Sequence, residues 1–533
     1  MSNPAPRHVR IYDVTLRDGT QREGLSLSAA DKIRIAMMLD ALGVAFIELG
    51  WPGSNPKDAE AFAMARDVPW VNASLAAFGS TRRAGCPVDA DPQVEALLAT
   101  RAPTCTIFGK SSLLHVREVL RVDPDENLRM IEDTVRYLAA SGRRVIYDAE
   151  HFFDGYKADP EYALETLRAA ERGGAELVTV CETNGGALPW EVEEQVASVV
   201  AAMRRVPVGI HAHDDTGCGV ANSIAAVRAG ASLVQGTING YGERCGNANL
   251  CSIIPNLELK MGIRCLRAGA LEEFTHVAWQ VADIANLAPD PHAAYVGRSA
   301  FAHKGGVHVA AIRRHPRAYE HIDPALVGNR TRVVVSELSG RGNVLSKAEE
   351  YDVELEAGAE SAVLRGLKER EARGFAFEAA EASVALMMRR ESPSYVAPFQ
   401  LVEYKVIVGQ REGQEAFSEA TIKLRVRGEV VHTAAEGNGP VGALDAALRK
   451  ALVAAYPGVN GIRLEDYKVR ILDSVNGTDA IVRVMIDSSY GEARWSTVGA
   501  SSNVLEASWL ALADGIEYGL AEARAGAVEK GAA

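Results

Sequence analysis

The residues best placed to do chemistry are His211-Ala212-His213, which close the apolar run Val206–Ile210 and are followed at once by Asp214 and Asp215. Side chains at i and i+2 of a strand leave the same face, so both imidazoles can meet one metal ion. Two histidines by themselves fit a pair of satisfied structural residues equally well. A third ligand comes from Leu16-Arg17-Asp18-Gly19-Thr20-Gln21-Arg22-Glu23-Gly24, which ends the first apolar run of the chain. Asp18 with His211 and His213 makes a three-ligand nitrogen and oxygen set with open positions, as a catalytic divalent ion such as Zn, Mn or Mg requires. Arg17 cannot bind a metal, but its forked donors suit a bound carboxylate or a growing oxyanion. Glu48, isolated in the apolar stretch Phe46–Leu49, is the natural buried partner to orient it, unless it faces solvent at a strand end. The segment Gly240–Asn249 is rich in glycine and can approach a ligand closely, and its Asn247 offers a carbonyl oxygen as a fourth metal ligand.

These residues need a frame that brings distant segments together. From His8 to Gly262, β-branched runs alternate with amphipathic, Ala-rich stretches, the pattern of a parallel sheet with crossover helices. The runs lie near Ile11–Val14, Ala45–Leu49, Val71–Ala77, Cys105–Phe108, Arg144–Tyr147, Leu177–Cys181, Val208–His211 and Leu233–Asn239. In Ser28–Gly43, Ser28 can cap a helix, Ile33, Met37 and Leu42 recur near helical spacing, and Gly43 stops it. About eight such repeats over about 250 residues favour a TIM (β/α)8 barrel, with the chemistry at the C-terminal strand ends. The expected organisation is a barrel over 1–264, helical linker subdomains over 265–390 and an α+β domain over 399–533. In that last part, strands near Leu401–Val408, Phe417–Arg427, Tyr467–Ile471 and Ala480–Ile486 are interleaved with two helical segments. The segment Gly437-Asn438-Gly439-Pro440-Val441-Gly442-Ala443-Leu444 is echoed by Val498-Gly499-Ala500-Ser501-Ser502-Asn503-Val504-Leu505, so two copies of one unit are expected.

Composition bounds the partners. With 57 basic and 70 acidic residues the net charge is −13, without a long block of either sign, which argues against nucleic acid as the ligand. Seven scattered cysteines lack the spacing of a disulfide scaffold or zinc knuckle, which fits a reducing cytoplasm. Neither a signal peptide at Met1–Arg10 nor a membrane span is expected, since the apolar run Val196–Met203 is too short to cross a bilayer.

Together the Arg-Asp-Gly opening, the His-x-His strand end and the Gly-Glu-Arg-x-Gly-Asn loop resemble the acyl-CoA-condensing branch of the metal-dependent TIM-barrel lyase and synthase superfamily. Its members are the isopropylmalate, homocitrate and citramalate synthases. Phe301-Ala302-His303-Lys304-Gly305-Gly306-Val307-His308 is similar to the family's helical subdomain motif, Tyr319–Asn329 continues it, and the last third looks like its allosteric dimer domain. Within the family, Asp148-Ala149-Glu150-His151-Phe152-Phe153-Asp154-Gly155-Tyr156, Lys304-Gly305-Gly306 and Ser336-Glu337-Leu338-Ser339-Gly340-Arg341 look most like the citramalate synthase group. The resemblance implies Asp18, His211 and His213 as metal ligands, with Asn247 as a fourth. It implies Arg17, Glu150 and Thr183 at the 2-oxo acid, and His308 with Tyr319 in the acid/base steps. It further implies acetyl-CoA as co-substrate, citramalate formation on the route to isoleucine, a homodimer, and isoleucine as effector.

Two departures stand out: Ala310 occupies a position where many relatives carry an acid, and Glu182 precedes Thr183 where an aspartate is usual. A thioester methyl is a weak carbon acid, so a base is needed; His308 titrates in a useful range, and Glu150 is the alternative acceptor. Phe78, Phe108 and Tyr147 fall at strand ends, where bulky rings leave room for the methyl of pyruvate more readily than for an isopropyl group. Strand parity decides whether each faces the pocket. The competing readings are 2-isopropylmalate synthase on 2-oxoisovalerate, then homocitrate synthase, and from another class a non-catalytic amino-acid sensor with a dead barrel.

Overall fold

The computed structural model describes residues 8–203, 205–336, 339–410, 412–413, 415–472 and 480–531, with side chains up to 523. Glu337 and Leu338 of the Ser336–Arg341 motif lie outside the described residues. The chain divides into two compact units, Met1–Phe301 with Ile322–Arg330, and Ala302–His321 with Thr331–Ala533.

In the first unit, β1 (Arg10–Asp13), β2 (Phe46–Gly50), β3 (Ser74–Ser80), β4 (Thr104–Lys110), β5 (Arg144–Glu150), β6 (Leu177–Glu182), β7 (Val208–Ala212) and β8 (Leu233–Gly236) close a barrel in sequence order. Every pairing is parallel, including the closing one of β1 with β8. The helix Ala29–Leu42 shows how local chemistry sets the crossovers. Ser28 and Asp31 exchange capping hydrogen bonds, and Gly43 ends the helix at φ +87°. A Cβ at Gly43 would also fall 2.7 Å from the Arg267 amide nitrogen. Ile33, Ala36, Leu39 and Leu42 are buried, whereas Met37 is half exposed and is not part of the packed face.

The third strand starts at Ser74 rather than Val71. Asp40 accepts from the backbone N–H groups of Val71, Asn72 and Ala73 at 3.1, 2.8 and 2.7 Å, so this apolar-looking entry is held as a turn on a carboxylate. The eighth strand likewise ends at Gly236, and Asn239 turns the chain at φ +60°.

Alternation along the strands builds the lumen in layers. Tyr12, Phe46, Ala76, Ile146, Leu177 and Leu233 pack together inside the barrel. Residues of the other parity, among them Ile11, Ile47, Ile107, Tyr147, Val180 and Ile210, join the large core that includes the helices. Fully buried Asp13 ties the exits of β1 and β8: its carboxylate accepts from Thr15 N and Thr15 Oγ1, both at 2.9 Å, and Thr15 Oγ1 accepts from Ile238 N at 2.9 Å.

In the second unit, the segment expected to be helical contains Gly306–Arg314, Arg341–Glu350, Ala359–Ala372 and Glu381–Arg390. It also contains a small parallel pair, β9 (Ala302–His303) and β10 (Arg332–Val333). Beyond it stand two antiparallel three-stranded sheets, each followed by a helix. The first is β11 (Phe399–Gly409), β12 (Phe417–Val426) and β13 (Glu429–Gly437) with helix Pro440–Leu452. The second is β14 (Arg463–Ile471), β15 (Val482–Tyr490) and β16 (Ala493–Ser501) with helix Val504–Gly531. Strands β13 and β16 escape the sequence reading because both are rich in small and polar residues. The echoed motifs fall at the same place in both copies, the turn from third strand to helix. Ile422, Leu424, Leu444 and Leu448 of one copy and Val484, Ile486, Leu512 and Ile516 of the other form one core. On the outer strands β11, β13 and β14, Val402, Ile407, Val408, Val430, Val469 and Ile471 are about half exposed.

Burial pushes the Asp13 carboxyl up from its ordinary 3.8 to about 7, against the two hydrogen bonds from Thr15. The folded chain therefore holds a proton there that the unfolded chain releases, and this group makes stability fall as pH rises from about 4 through 7. Asp13→Asn should thus gain stability relative to the wild type between pH 5 and pH 8, read as a widening difference in melting temperature. A difference that stays flat or narrows contradicts the assignment.

Candidate active site

The mouth of the barrel encloses a cavity of about 180 Å³ whose lining includes Arg17, Asp18, Glu150, Thr183, His211 and His213. Strand parity turns His211 of β7 and Asp148 and Glu150 of β5 inward, and His213, one residue beyond β7, keeps the same side. Asp18 stands in the turn that follows β1.

His211 Nε2 and His213 Nε2 face each other at 3.2 Å, and Asp18 Oδ2 lies 3.4 and 4.0 Å from them. The three ligand atoms fall within 4.8 Å of one another. The tautomer of His211 follows from its neighbours. Gln235 Nε2 donates to Asp148 Oδ1 at 2.9 Å, so Gln235 Oε1 is left to accept from His211 Nδ1, also at 2.9 Å. That leaves the Nε2 lone pair aimed at the cluster. Burial pulls His213 down to about 4, helped by the adjacent imidazole, so its ring stays neutral. Burial opposes ionisation of Asp18, but Arg17 and the two histidines outweigh it and hold its pKa below the ordinary value. Asp18 Oδ1 and Asn247 Oδ1 are buried oxygens without a hydrogen-bond partner, and their chemistry, beside two imidazoles, fits a divalent cation.

Arg17 is fixed from two sides. Its Nε donates to Glu48 Oε1 at 2.5 Å, and its guanidinium lies 3.7 Å from the centre of the Phe78 ring. Glu48 is completely buried and receives Tyr12 OH at 2.6 Å on its other oxygen, so it does not face solvent. Burial works against the charge on Arg17, and the carboxylates of Glu48 and Asp18 more than offset it. Glu150 forms an ion pair with Lys110. Thr183 Oγ1 accepts from His151 N at 2.9 Å, and the His151 ring, on a residue at φ +58°, stacks on His115 with centres 3.6 Å apart.

The glycine-rich loop closes the mouth. Gly246 sits at φ +101°, and a Cβ there would fall 2.1 Å from Gly240 O. Arg244 grips Asp215 with two donors at 2.7 and 2.9 Å and Thr183 O at 2.8 Å, so one side chain ties the loops after β6, β7 and β8.

Of the three rings expected at the substrate, Phe78 and Phe108 line the cavity and stack with centres 5.2 Å apart. Tyr147 does not: it has the opposite parity to Asp148 and packs into the outer core. Sequence reasoning missed Trp51, which meets both Phe78 and Phe108 edge-on at 5.6 and 5.4 Å. It also missed Asp148 and Gln235; the i, i+2 spacing of Asp148 with Glu150 and the lone amide in the run Leu233–Gly236 were the available signals. Glu182 turns away from the cavity and accepts from Gly186 N at 3.0 Å, so its extra methylene is taken up outside the pocket. His308 and Tyr319 belong to the second unit, where their rings stack with centres 4.0 Å apart. In that unit Glu320 Oε1 lies 3.5 Å from His303 Nε2, and Ala310 is exposed. Among the described residues no helix is long and apolar enough to cross a membrane.

A closed (β/α)8 barrel with two imidazoles, a carboxylate and a guanidinium converging at its C-terminal mouth is the architecture of a TIM-barrel enzyme. Residues 8–280 match the HMGL-like family, 295–374 the homocitrate synthase post-HMGL domain-like family, and 378–520 the LeuA allosteric (dimerisation) domain. The (R)-citramalate synthase of Geobacter sulfurreducens is 51% identical over 515 residues, which cover 96% of this chain and 97% of that protein. That of Synechocystis is 51% identical over 523 residues, 96% of each. A probable 2-isopropylmalate synthase of Methanopyrus kandleri is more distant, 31% identical over 96% of this chain and 98% of that protein. The chain belongs to the HMGL-like family of TIM-barrel enzymes and, within it, to the (R)-citramalate synthase family.

Breaking the Glu48 contact should leave a guanidinium buried without its partner. Glu48→Ala is expected to cost roughly 3–5 kcal/mol of unfolding free energy, read from urea denaturation. A loss below about 1 kcal/mol would show that Arg17 relaxes to another carboxylate.

Proposed function

We propose that this chain condenses acetyl-CoA with pyruvate and hydrolyses the thioester, releasing (R)-citramalate and CoA. The observation that carries this reading is a small cavity, walled by Phe78, Phe108 and Trp51, directly beside the Asp18, His211 and His213 cluster. Pyruvate presents a carboxylate, a keto oxygen and one methyl group; the rings leave little width for a branched substituent.

Asp18, His211 and His213 hold a divalent metal, with Asn247 Oδ1 as a fourth donor. When bound, such an ion polarises the keto group of the substrate. Arg17, fixed by Glu48 and Phe78, stabilises the negative charge that grows on the keto oxygen. Thr183 and Glu150 orient the oxo acid, Glu150 being anchored by Lys110. A base takes a proton from the acetyl methyl, the new C–C bond forms to the keto carbon, and the former keto oxygen takes up a proton as a hydroxyl. Water then attacks the thioester carbonyl, the C–S bond breaks, and the sulfur leaves as the CoA thiol. His308, with Tyr319 stacked on it, is the base of this reading; Glu150 is the alternative acceptor.

The three-part organisation follows: a catalytic barrel over 1–264, helical linkers over 265–390 and a regulatory domain over 399–533. The half-exposed apolar residues on the outer strands of that last part suit pairing of two chains into a homodimer. Its two strand-to-helix turns, Gly437–Gly442 and Gly499–Asn503, offer backbone N–H groups that suit the carboxylate of isoleucine as a feedback effector. The reading places the enzyme in the cytoplasm, in branched-chain amino acid synthesis, with no nucleic acid or membrane partner.

The test is free-thiol release from acetyl-CoA with pyruvate, 2-oxobutanoate, 2-oxoisovalerate and 2-oxoglutarate. Pyruvate is expected to give the highest kcat/KM. Secondary activity on 2-oxobutanoate agrees with the reading, since one methylene is worth about 1–3 kcal/mol. A higher value on 2-oxoisovalerate would assign isopropylmalate synthase instead, and no thiol release from any of them would leave the amino-acid sensor.

The second test concerns the metal and separates its support from the base. Gln235→Ala frees the His211 ring to turn, so metal affinity is expected to fall about 10–100-fold in dialysis against buffered metal. His308→Ala should retain metal and lose kcat. Equal metal affinity in Gln235→Ala and the wild type would overturn the ligand assignment.

A further inference from the structure

The three rings that wall the barrel mouth are not held alike. Phe78 and Phe108 rise from β3 and β4, each hydrogen-bonded to a neighbouring strand on both sides. Trp51 stands just beyond the end of β2, in the loop that leads to helix Pro56–Ala65, and owes its place to side chains.

Its backbone is anchored first. Trp51 N donates to Asp58 Oδ2 at 2.8 Å, and the other oxygen of Asp58 is paired with the buried ammonium of Lys32, which also donates to Leu49 O at 3.3 Å. The indole is fixed separately: its Nε1 donates to Gln93 Oε1 at 2.8 Å. The Gln93 amide has one orientation, because Gly53 O, a pure acceptor, receives its Nε2 at 3.2 Å and leaves Oε1 for the indole. Gly53 permits this approach, since a Cβ there would fall 2.3 Å from Gln93 Oε1. Gln93 itself lies in the first turn of helix Pro92–Ala99, where fully buried Asp91 accepts from Gln93 N and from Arg83 N, both at 2.8 Å.

Trp51 lines the cavity, and Gln93, Asp58 and Lys32 stand behind it. With its backbone anchored by Asp58, the indole keeps one freedom, rotation about its own side-chain bonds, and the bond to Gln93 removes that freedom. An indole that swings away from the edges of Phe78 and Phe108 takes one side of the wall with it.

We propose that Gln93 is a specificity-determining positioning residue: by holding the Trp51 indole against Phe78 and Phe108, it limits the size of the side chain on the 2-oxo acid that the barrel accepts. Gln93 acts through Trp51. The inference rests on the oxo-acid reading of the cavity, but concerns how strongly larger oxo acids are rejected rather than which one the wild type prefers.

The test compares the wild type, Gln93→Leu, Gln93→Glu, Trp51→Phe and the double variant Gln93→Leu/Trp51→Phe, each as full-length, metal-loaded protein. Free-thiol release gives kcat/KM with pyruvate, 2-oxobutanoate and 2-oxoisovalerate, and calorimetric titration without acetyl-CoA gives the dissociation constants of the same acids. Leucine has nearly the size of glutamine but no acceptor, so Gln93→Leu should raise the ratio of kcat/KM for 2-oxoisovalerate over pyruvate by about tenfold or more, mainly through KM of the branched acid. Gln93→Glu keeps an acceptor for the indole and should stay nearer the wild-type ratio than Gln93→Leu. Trp51→Phe, which has no N–H to hold and a smaller ring, should move the ratio the same way, and adding Gln93→Leu to it should change the ratio no further. A loss of folding stability alone lowers all three acids alike. An unchanged ratio in Gln93→Leu therefore overturns the proposal, as does a ratio that shifts equally with and without the indole. If the wild type prefers 2-oxoisovalerate, the pyruvate reading fails while the ratio still decides the role of Gln93. A wild type that neither binds nor turns over any oxo acid overturns both.

Discussion

The buried carboxylate of Glu48 sets the terms for the rest of the barrel. A charge with no solvent exposure is tolerable only where its lone pairs are satisfied by fixed donors, and Tyr12 and Arg17 supply them from the same strand and the turn beyond it. That requirement fixes the register of β1 against β2 and holds Arg17 against Phe78. It also acts on the next carboxylate of the lumen: burial, then the Glu48 charge, raise Asp148 to about 7. Asp148 in turn receives Gln235, which orients His211. Buried hydrogen bonds thus join Asp148 through Gln235 to the imidazole at the cluster, all three on barrel strands, while Glu48 acts on Asp148 through its charge. Groups so placed need little reorganisation as charge develops on a substrate.

Above this layer the loops are tied by fewer contacts. Arg244 joins three of them through Asp215 and the Thr183 carbonyl, and Gly246 allows the close approach that brings Asn247 beside Asp18. The aromatic wall is secured separately: Trp51 Nε1 donates to Gln93 Oε1 at 2.8 Å, and Trp51 N donates to Asp58, which is paired with buried Lys32. The width of the pocket thus depends on packing well away from the reacting groups.

The second unit solves a different problem. One helix covers only one face of a three-stranded sheet, and the two copies share a single apolar core while apolar residues of the outer strands stay partly exposed.

What the sequence determined by itself is what depends on local pattern and residue type. The eight strand and helix repeats, the Ser28 and Gly43 caps, the third-strand-to-helix turns and the chemical kinds gathered in Arg17-Asp18 and His211-Ala212-His213 all follow from periodicity and from the few residues able to do such chemistry. The tertiary structure decided what depends on parity and on distant partners. One residue of register sends Tyr147 into the outer core and Asp148 into the lumen, a choice that alternation within a fully buried apolar strand cannot reveal. Asp40, a helix residue, holds residues 71–73 out of the strand they resemble. Trp51 acquires its surroundings from other strands of the barrel, and no local signal marks it, because an aromatic ring becomes part of a site only through what closure of the chain places opposite it.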